Sequence, residues 1–354
     1  MDGDKKLKIK DKIKMKILIT GVHGFVGGNL VKALSKEHTI YGLDIIAPVK
    51  DGVKYTFSWD YLDKEDVIPE IDAIIHLAGK AHDTKNEAAA DVYFKVNTGL
   101  TQKIFDYFMT HEGIKKFVFF STAKAAADRV EGVLTEDVTP APVGPYGESK
   151  IKAEEYILSK MEDVRSKNKD VYIFRPCMIH GPGNKGNLNL LYGVVKKGIP
   201  WPLGAFENLR TFTSIENICF AVNGVLTKDV PSGIYNMGDD EALSTNELIE
   251  EICKSLGKKA HIWRLPKGLM NGVAKMGGWL HLPLNPDRLQ KLTESYVSSN
   301  AKIKKALGVD KMPVDARQGL KITLKSFQYT ISHSHTRLHK KGAQNLSVLR
   351  SFLM

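Results

Sequence analysis

The chain has 354 residues, 43 % hydrophobic and 26 % charged, with three cysteines and a formal net charge of +11. That length allows two lobes with a real core, and the widely spaced Cys177, Cys219 and Cys253, with no CxxC pair, exclude a disulfide-stapled scaffold and read as reduced thiols. Residues 1–16 and 328–354 each carry a net +4, so the body holds only about +3, which argues against a specific nucleic-acid binder; no run approaches the roughly 18–20 apolar residues of a membrane span.

In chain order, residues 1–14, with the repetitive KKLKIKDKIK, read as an appended basic segment. A glycine-rich turn follows them where a secretory leader would have an apolar stretch. KILIT is a short, β-rich run of the buried parallel-strand kind. Gly21, Gly24 and Gly27 follow at three-residue spacing and lead into a helical pattern through Leu30, Val31 and Leu34. Glycines at a strand-to-helix turn let the backbone approach a pyrophosphate, which then lies on the helix N-terminus. The next strand, TIYGLDI, ends in Asp44, 23 residues after Gly21, where an acid binds the adenine ribose diol. That charge favours NAD and repels NADP, unless Lys50 compensates.

IDAIIHLAG is a further strand, followed by a helix through NTGLTQKIFDYFMTH and the strand FVFF. Thr122 stands just after FVFF, and the helix YGESKIKAEEYILSKM begins after Pro145. Tyr146 and Lys150 on that helix are one turn apart and share a face. An ammonium beside a phenol lowers the phenol's pKa, and a hydroxyl such as Thr122 holds the oxygen whose proton the tyrosine takes. This apparatus moves a proton on an alcohol while a hydride leaves the same carbon. VYIFRP is the next strand, and the alternation predicts an α/β fold: a Rossmann-type doubly wound parallel sheet over 15–182. From GPGNKG the rhythm loosens into a smaller C-terminal substrate lobe, 183–327, with about 211–236 expected to pack back on the first domain. LMNGVAKMGGWLHLPL reads as a helix and loop packed in that lobe rather than a membrane-surface element, and 328–354 as a disordered basic tail.

From Lys16 to Phe327 the chain resembles the extended short-chain dehydrogenase/reductases, within them the NAD-dependent nucleotide-sugar epimerase/dehydratase family. TGVHGFVG is similar to the family's TGxxGFxG, HLAG to HLAA, and KVNTGLT to VNxxGT. STAKAAA stands for SSxxVYG, EDVTPAPVGPYGESK for EDxPxxPxxPYxxSK, and RPCMIHGPG for RPxNVYGPG. The resemblance implies cofactor contacts at Gly21, Gly24, Phe25, Val26, Gly27, Asp44, Leu77, Ala78, Gly79 and Asn97, with Asp60, Tyr61 and Leu62 packing the adenine. It implies that Thr122 orients the sugar hydroxyl and Tyr146 is the acid/base. Lys150 then holds the nicotinamide ribose and lowers the tyrosine's pKa. Lys80, Thr122 and Lys124 are implied on the substrate side, and Arg210 at the substrate diphosphate, where a planar guanidinium binds bidentately.

Two departures stand out. VYG is replaced by Ala125-Ala126-Ala127, which removes an aromatic from the pocket edge, and Met178 stands where many members have asparagine. Dehydratases of the family usually follow the catalytic threonine with Asp-Glu; here the positions are Ala123 and Lys124. The resemblance therefore implies a 4-epimerase of a UDP-hexose or UDP-N-acetylhexosamine, similar to the UDP-glucose 4-epimerases of polysaccharide biosynthesis. The alternatives are an NAD(P)H-dependent reductase of a UDP-4-keto-6-deoxy-hexosamine and a dinucleotide-sensing regulator without turnover. No metal site is expected, and a cytoplasmic homodimer is.

Overall fold

The computed structural model describes residues 14–64, 68–81, 89–184, 186–279 and 284–335, the side chains of 287 and 329–335 excepted. Its centre is a seven-stranded parallel sheet. The strands are β1 (Lys16–Thr20), β2 (Thr39–Leu43), β3 (Tyr55–Phe57), β4 (Ala73–His76), β5 (Lys116–Phe120), β7 (Asp170–Pro176) and β10 (Gly233–Met237). Four short pieces complete the list: β6 (Val133–Leu134) pairs with β11 (Val297–Ser298), and β8 (Met178–His180) with β9 (Phe212–Ser214). The sheet order β10-β7-β5-β4-β1-β2-β3 confirms the Rossmann-type α/β reading. β1 lies between β2 and β4, with Leu18 beside both Tyr41 and Ile74. The chain thus winds away from β1 in both directions, and a crevice opens at the carboxyl ends of β1 and β4.

Both faces of the sheet are covered, which is why these strands are runs of apolar residues rather than alternating ones. On one face Leu30, Val31 and Leu34 of the helix Phe25–Leu34 pack with Ile218, Val222 and Val225 of the helix Ile215–Thr227. On the other, Ile104, Phe105 and Phe108 of the helix Leu100–Thr110 meet Ala153 and Ile157 of the helix Pro145–Leu158. A separate core joins Leu191 and Tyr192 to Leu248, Ile252, Leu320 and Phe327.

Segment 211–236 contributes the helix Ile215–Thr227 and most of the edge strand β10, both part of the main sheet's architecture. The last helix, Ala316–His335, runs past Gln328, where the sequence reading begins its tail. Phe327 is buried and Gln328 bonds to the Ser255 carbonyl, so the described fold extends to that point. Residues 1–13 and 336–354, the bulk of both basic ends, lie outside the described residues. Among the described residues no helix is long and apolar enough to cross a membrane and no His/Cys/Asp/Glu cluster is arranged to hold a metal.

Candidate active site

The turn after β1 is built for close approach. Gly21 has φ +67°, and a Cβ there would come within 3.1 Å of the Ala78 backbone after β4. A Cβ on Gly27 would lie 2.5 Å from the Gly21 carbonyl, so this helix can start against the turn only without a side chain. Phe25 and Val26 pack on the main core, and the Phe25 ring also lies beside Gly181. Asn29 Nδ2 donates to Pro182 O at 3.1 Å, tying the glycine turn to GPG.

At the end of β2, Asp44 accepts from the backbone N–H of His23 (3.1 Å) and of Ile45 (2.8 Å). The carboxylate is thereby fixed at the edge of the glycine turn. Lys50 Nζ lies 3.3 Å from where a Gly28 Cβ would be, close to the same turn. Asp60 is an exposed carboxylate on the turn Trp59–Asp63, held low at about 2 by the Ser58 hydroxyl and then by Lys64. Tyr61 and Leu62 beside it pack on the sheet core.

After β4 the backbone N–H groups of Leu77 and Ala78 donate to Thr20 Oγ1 at 3.1 and 3.0 Å. That hydroxyl also bonds His76 Nδ1 at 2.7 Å, and His76 Nε2 meets Thr101 Oγ1 at 2.9 Å. Burial, helped by the Lys150 charge, holds His76 well below the usual histidine range, so it is a neutral linker. Asn97 sits in a π-helical turn, Phe94–Gly99, and is fully buried. Its side chain bonds both backbone groups of Lys80, at 2.7 and 3.1 Å, and donates to Ser149 Oγ at 2.9 Å. Ser149 in turn donates to the Tyr146 carbonyl at 2.9 Å. A polar chain thus runs from β1 to the start of the tyrosine helix. The sequence reading placed His76 at the carboxyl end of β4, but gave no sign of its bonds to Thr20 and Thr101 or of Ser149's role, since their partners are remote in sequence.

Tyr146, Thr122 and Lys150 come together at the mouth of this crevice. The Thr122 hydroxyl lies close enough to the Tyr146 phenol to favour its ionised form, and it also N-caps the short helix Ala123–Ala126, accepting from Lys124 N–H at 3.3 Å. Lys150 is buried, and its ammonium donates to Phe120 O at 2.8 Å. A Cβ on Gly79 would meet both Asn97 Oδ1 (2.9 Å) and Lys150 Nζ (3.2 Å), so the HLAG turn, the asparagine and the lysine converge.

The electrostatics differ from expectation in one respect. The Tyr146 phenol lies above its usual pKa, because desolvation outweighs the pull of Thr122; the lysine's spacing alone does not decide the sign. Desolvation also pulls Lys150 down, to about 8, with Glu154 one turn along opposing it. Glu154 and Arg175 form a buried ion pair through Nη2–Oε2 at 2.6 Å and Nε at 3.0 and 3.1 Å, and Ser121 beside Thr122 bonds the same carboxylate. This pair fixes β7, the end of β5 and the catalytic helix relative to one another.

On the substrate side, Lys124 Nζ is held by Asp128 (3.0 Å to Oδ1) and lies 4.9 Å from the Tyr296 ring centroid. Tyr296 OH donates to Ala127 O at 2.8 Å, and Ala126 and Ala127 pack with Leu134, Cys177 and Tyr296. The edge left without its aromatic is thus lined from elsewhere in the chain. Arg210 donates to Lys291 O at 2.9 Å, lies 4.0 Å from Glu294, and its backbone bridges to Tyr296. Lys80 Nζ lies 5.6 Å from the Tyr93 ring, itself edge-on to Tyr146. The three cysteines are free, and burial pushes Cys177 up to about 12.

The glycine cradle, the fixed Asp44 and the buried lysine at the HLAG turn are chemically suited to a dinucleotide. The profile of the NAD dependent epimerase/dehydratase family matches residues 17–238. A UDP-glucose 4-epimerase of Vibrio cholerae is 31 % identical over 340 residues, covering 89 % of this chain and 96 % of that protein. The N-acetyl-alpha-D-glucosaminyl-diphospho-ditrans,octacis-undecaprenol 4-epimerase of Escherichia coli O157:H7 is 27 % identical over 296 residues, covering 82 % and 84 %. The crystal structure of UDP-glucuronic acid 4-epimerase from Bacillus cereus with NAD shares the fold at TM-score 0.68 and 21 % identity, over 89 % of this chain and 99 % of that one. The chain therefore belongs to the NAD-dependent epimerase/dehydratase family and is an NAD-dependent enzyme of that family.

Proposed function

We propose that the protein is a 4-epimerase of a UDP-hexose or UDP-N-acetylhexosamine, with Thr122, Tyr146 and Lys150 as its catalytic residues. The observation that carries this reading is the meeting of Thr122 and Tyr146 beside the buried Lys150, at the carboxyl edge of β4 and β5. Bound NAD supplies the acceptor, and later the donor, of the hydride at C4. Tyr146 takes the C4 hydroxyl proton as that hydride leaves, so C4 becomes a carbonyl; after the keto sugar turns over, the same phenol returns the proton. Thr122 holds the C4 oxygen in line with the phenol. Lys150 supplies positive charge at the nicotinamide ribose and, when charged, favours the phenolate. Arg210 and Lys124 are assigned to the diphosphate and sugar, Lys80 to the pocket's other side.

A 4,6-dehydratase is disfavoured by the positions after Thr122. Ala123 has no titratable side chain and Lys124 is a cation, so neither supplies the acid/base pair for eliminating water. A 4-keto reductase uses the same three residues and is the second reading. Denaturing the purified protein and measuring released cofactor separates the two. Near-stoichiometric NAD, with turnover of a UDP-sugar needing no added cofactor, supports the epimerase; an empty site and consumption of NAD(P)H overturn it.

A further inference from the structure

The helix Lys267–Trp279 has two apolar faces, and the lobe covers one of them. Met270, Ala274 and Gly277 are buried. Leu269, Val273 and Met276, at i, i+4 and i+7, form a second row that is 55, 38 and 54 % exposed, and Trp279 at the helix end is 80 % exposed. Single exposed apolar side chains are ordinary; a row of them along one helix, ending in tryptophan, is not. The sequence reading placed this stretch inside the lobe; the structure buries Met270, Ala274 and Gly277 there and leaves Leu269, Val273, Met276 and Trp279 exposed, while 280–283 lie outside the described residues.

The segment that carries the row has charge of one sign. Between Glu251 and Asp287 the sequence has six lysines and arginines and no acid. Lys254 is paired with Glu251, and Lys258 donates to Lys196 O. Lys259, Arg264, Lys267 and Lys275 are exposed, and the neighbouring Trp263 is 54 % exposed. Next to this segment a groove of about 260 Å³ joins apolar Ile199 and Ile249 to basic Lys258, Lys259 and His261.

We propose that this face docks the protein onto an anionic lipid bilayer. Exposed aliphatic and tryptophan side chains enter the interfacial layer while flanking lysines meet lipid phosphates, as in helices that lie in the membrane plane rather than span it. A second copy is a poorer occupant. Two-fold self-pairing would set the helix's own lysines, Lys267 and Lys275, against their copies, lysine facing lysine. The inference does not rest on which sugar is turned over.

The test is co-sedimentation of the full-length protein with vesicles of phosphatidylcholine alone and of phosphatidylcholine with phosphatidylglycerol. The protein should pellet with the anionic vesicles and not with the neutral ones. Leu269→Ser/Met276→Ser/Trp279→Ser should weaken partitioning about tenfold or more while Tm and turnover of soluble substrate stay unchanged. That variant keeps every charge, so binding that survives it would place the attraction in the basic ends and overturn the proposal. If the triple variant fails to fold, Lys267→Glu/Lys275→Glu carries the same test through the lysines. A wild type that ignores anionic vesicles also overturns the proposal, and a dimer that the triple variant converts to monomer would then give the face to a second copy.

Discussion

Replacing Lys150 by Met removes an ammonium that the fold holds out of water, and the resulting change in pH dependence can be worked from its environment. Burial lowers this lysine from 10.5 to about 8. The folded state therefore disfavours the charged form by on the order of 3 kcal/mol, at about 1.4 kcal/mol per pKa unit. Below pH 8 both states are protonated and the cost is fully present. Between pH 8 and 10.5 the unfolded chain keeps a proton that the folded one releases, so the wild type gains stability as pH rises. The Met variant lacks that gain. Near pH 7 the two should differ less than 3 kcal/mol, because Met also forfeits the 2.8 Å bond to Phe120 O, worth about 1.5–3 kcal/mol for a charged donor. The assay is denaturant unfolding of both proteins at a series of pH values, taken as a difference so that other titrating groups cancel. A difference that stays flat from pH 7 to 10.5 would refute the buried-ammonium reasoning. Turnover of the variant should be low throughout, with a raised NAD dissociation constant; an unchanged constant would remove the ribose role.

Tyr146→Phe should cost ~10²–10⁴ in turnover and leave NAD affinity within a few-fold, because the phenol alone is assigned the proton; near wild-type turnover sinks the assignment. Glu154→Gln should destabilise the protein by about 3–5 kcal/mol in denaturant unfolding, since Arg175, 1 % exposed, is left as a buried charge without its counter-ion. The double change Glu154→Leu/Arg175→Met should recover most of that loss, and a single-variant cost under about 1 kcal/mol would show that the pair is not dry. Asp44→Ala should weaken NAD binding about tenfold and narrow the preference over NADP, since it removes the group proposed to accept from the ribose and the anchor of His23 N–H. Isothermal titration with both dinucleotides checks this, and an unchanged ratio of affinities would move the discrimination to another residue.

The strands that a reader of the sequence can find are those buried on both faces: KILIT, TIYGL, AIIH, KFVFF and the run ending in RP are continuous apolar segments. The edge strands carry less signal. β3 is three residues, YTF, with Tyr55 exposed, and β10 is GIYNM, with a glycine and an asparagine inside it. Both belong to the sheet through a single neighbour, a property of the assembled fold that no local pattern announces. Glu154 and Arg175 were illegible for the same reason. On the helix Glu154 looks like any solvated acid, and only the return of β7 beneath it brings a guanidinium within 2.6 Å.

The catalytic helix shows where local spacing stops being sufficient. One helical turn between Tyr146 and Lys150 establishes that they share a face, and from that alone a lowered phenol pKa follows. The sign is nonetheless set by how much water the fold removes. Thr122 pulls the phenol down, but desolvation pushes it further up, and the same desolvation weakens the lysine whose charge was to do the lowering. A site of this kind holds its tyrosine protonated and its lysine close to losing a proton, so each is sensitive to a further charge placed between them. Gly21 and Gly27 would hold NAD, and an oxidised nicotinamide reaching Tyr146 and Lys150 would favour the phenolate and disfavour the ammonium. Proton abstraction by Tyr146 would then be tied to the presence of oxidised cofactor, because the hydroxyl proton would leave the sugar only when the hydride had somewhere to go.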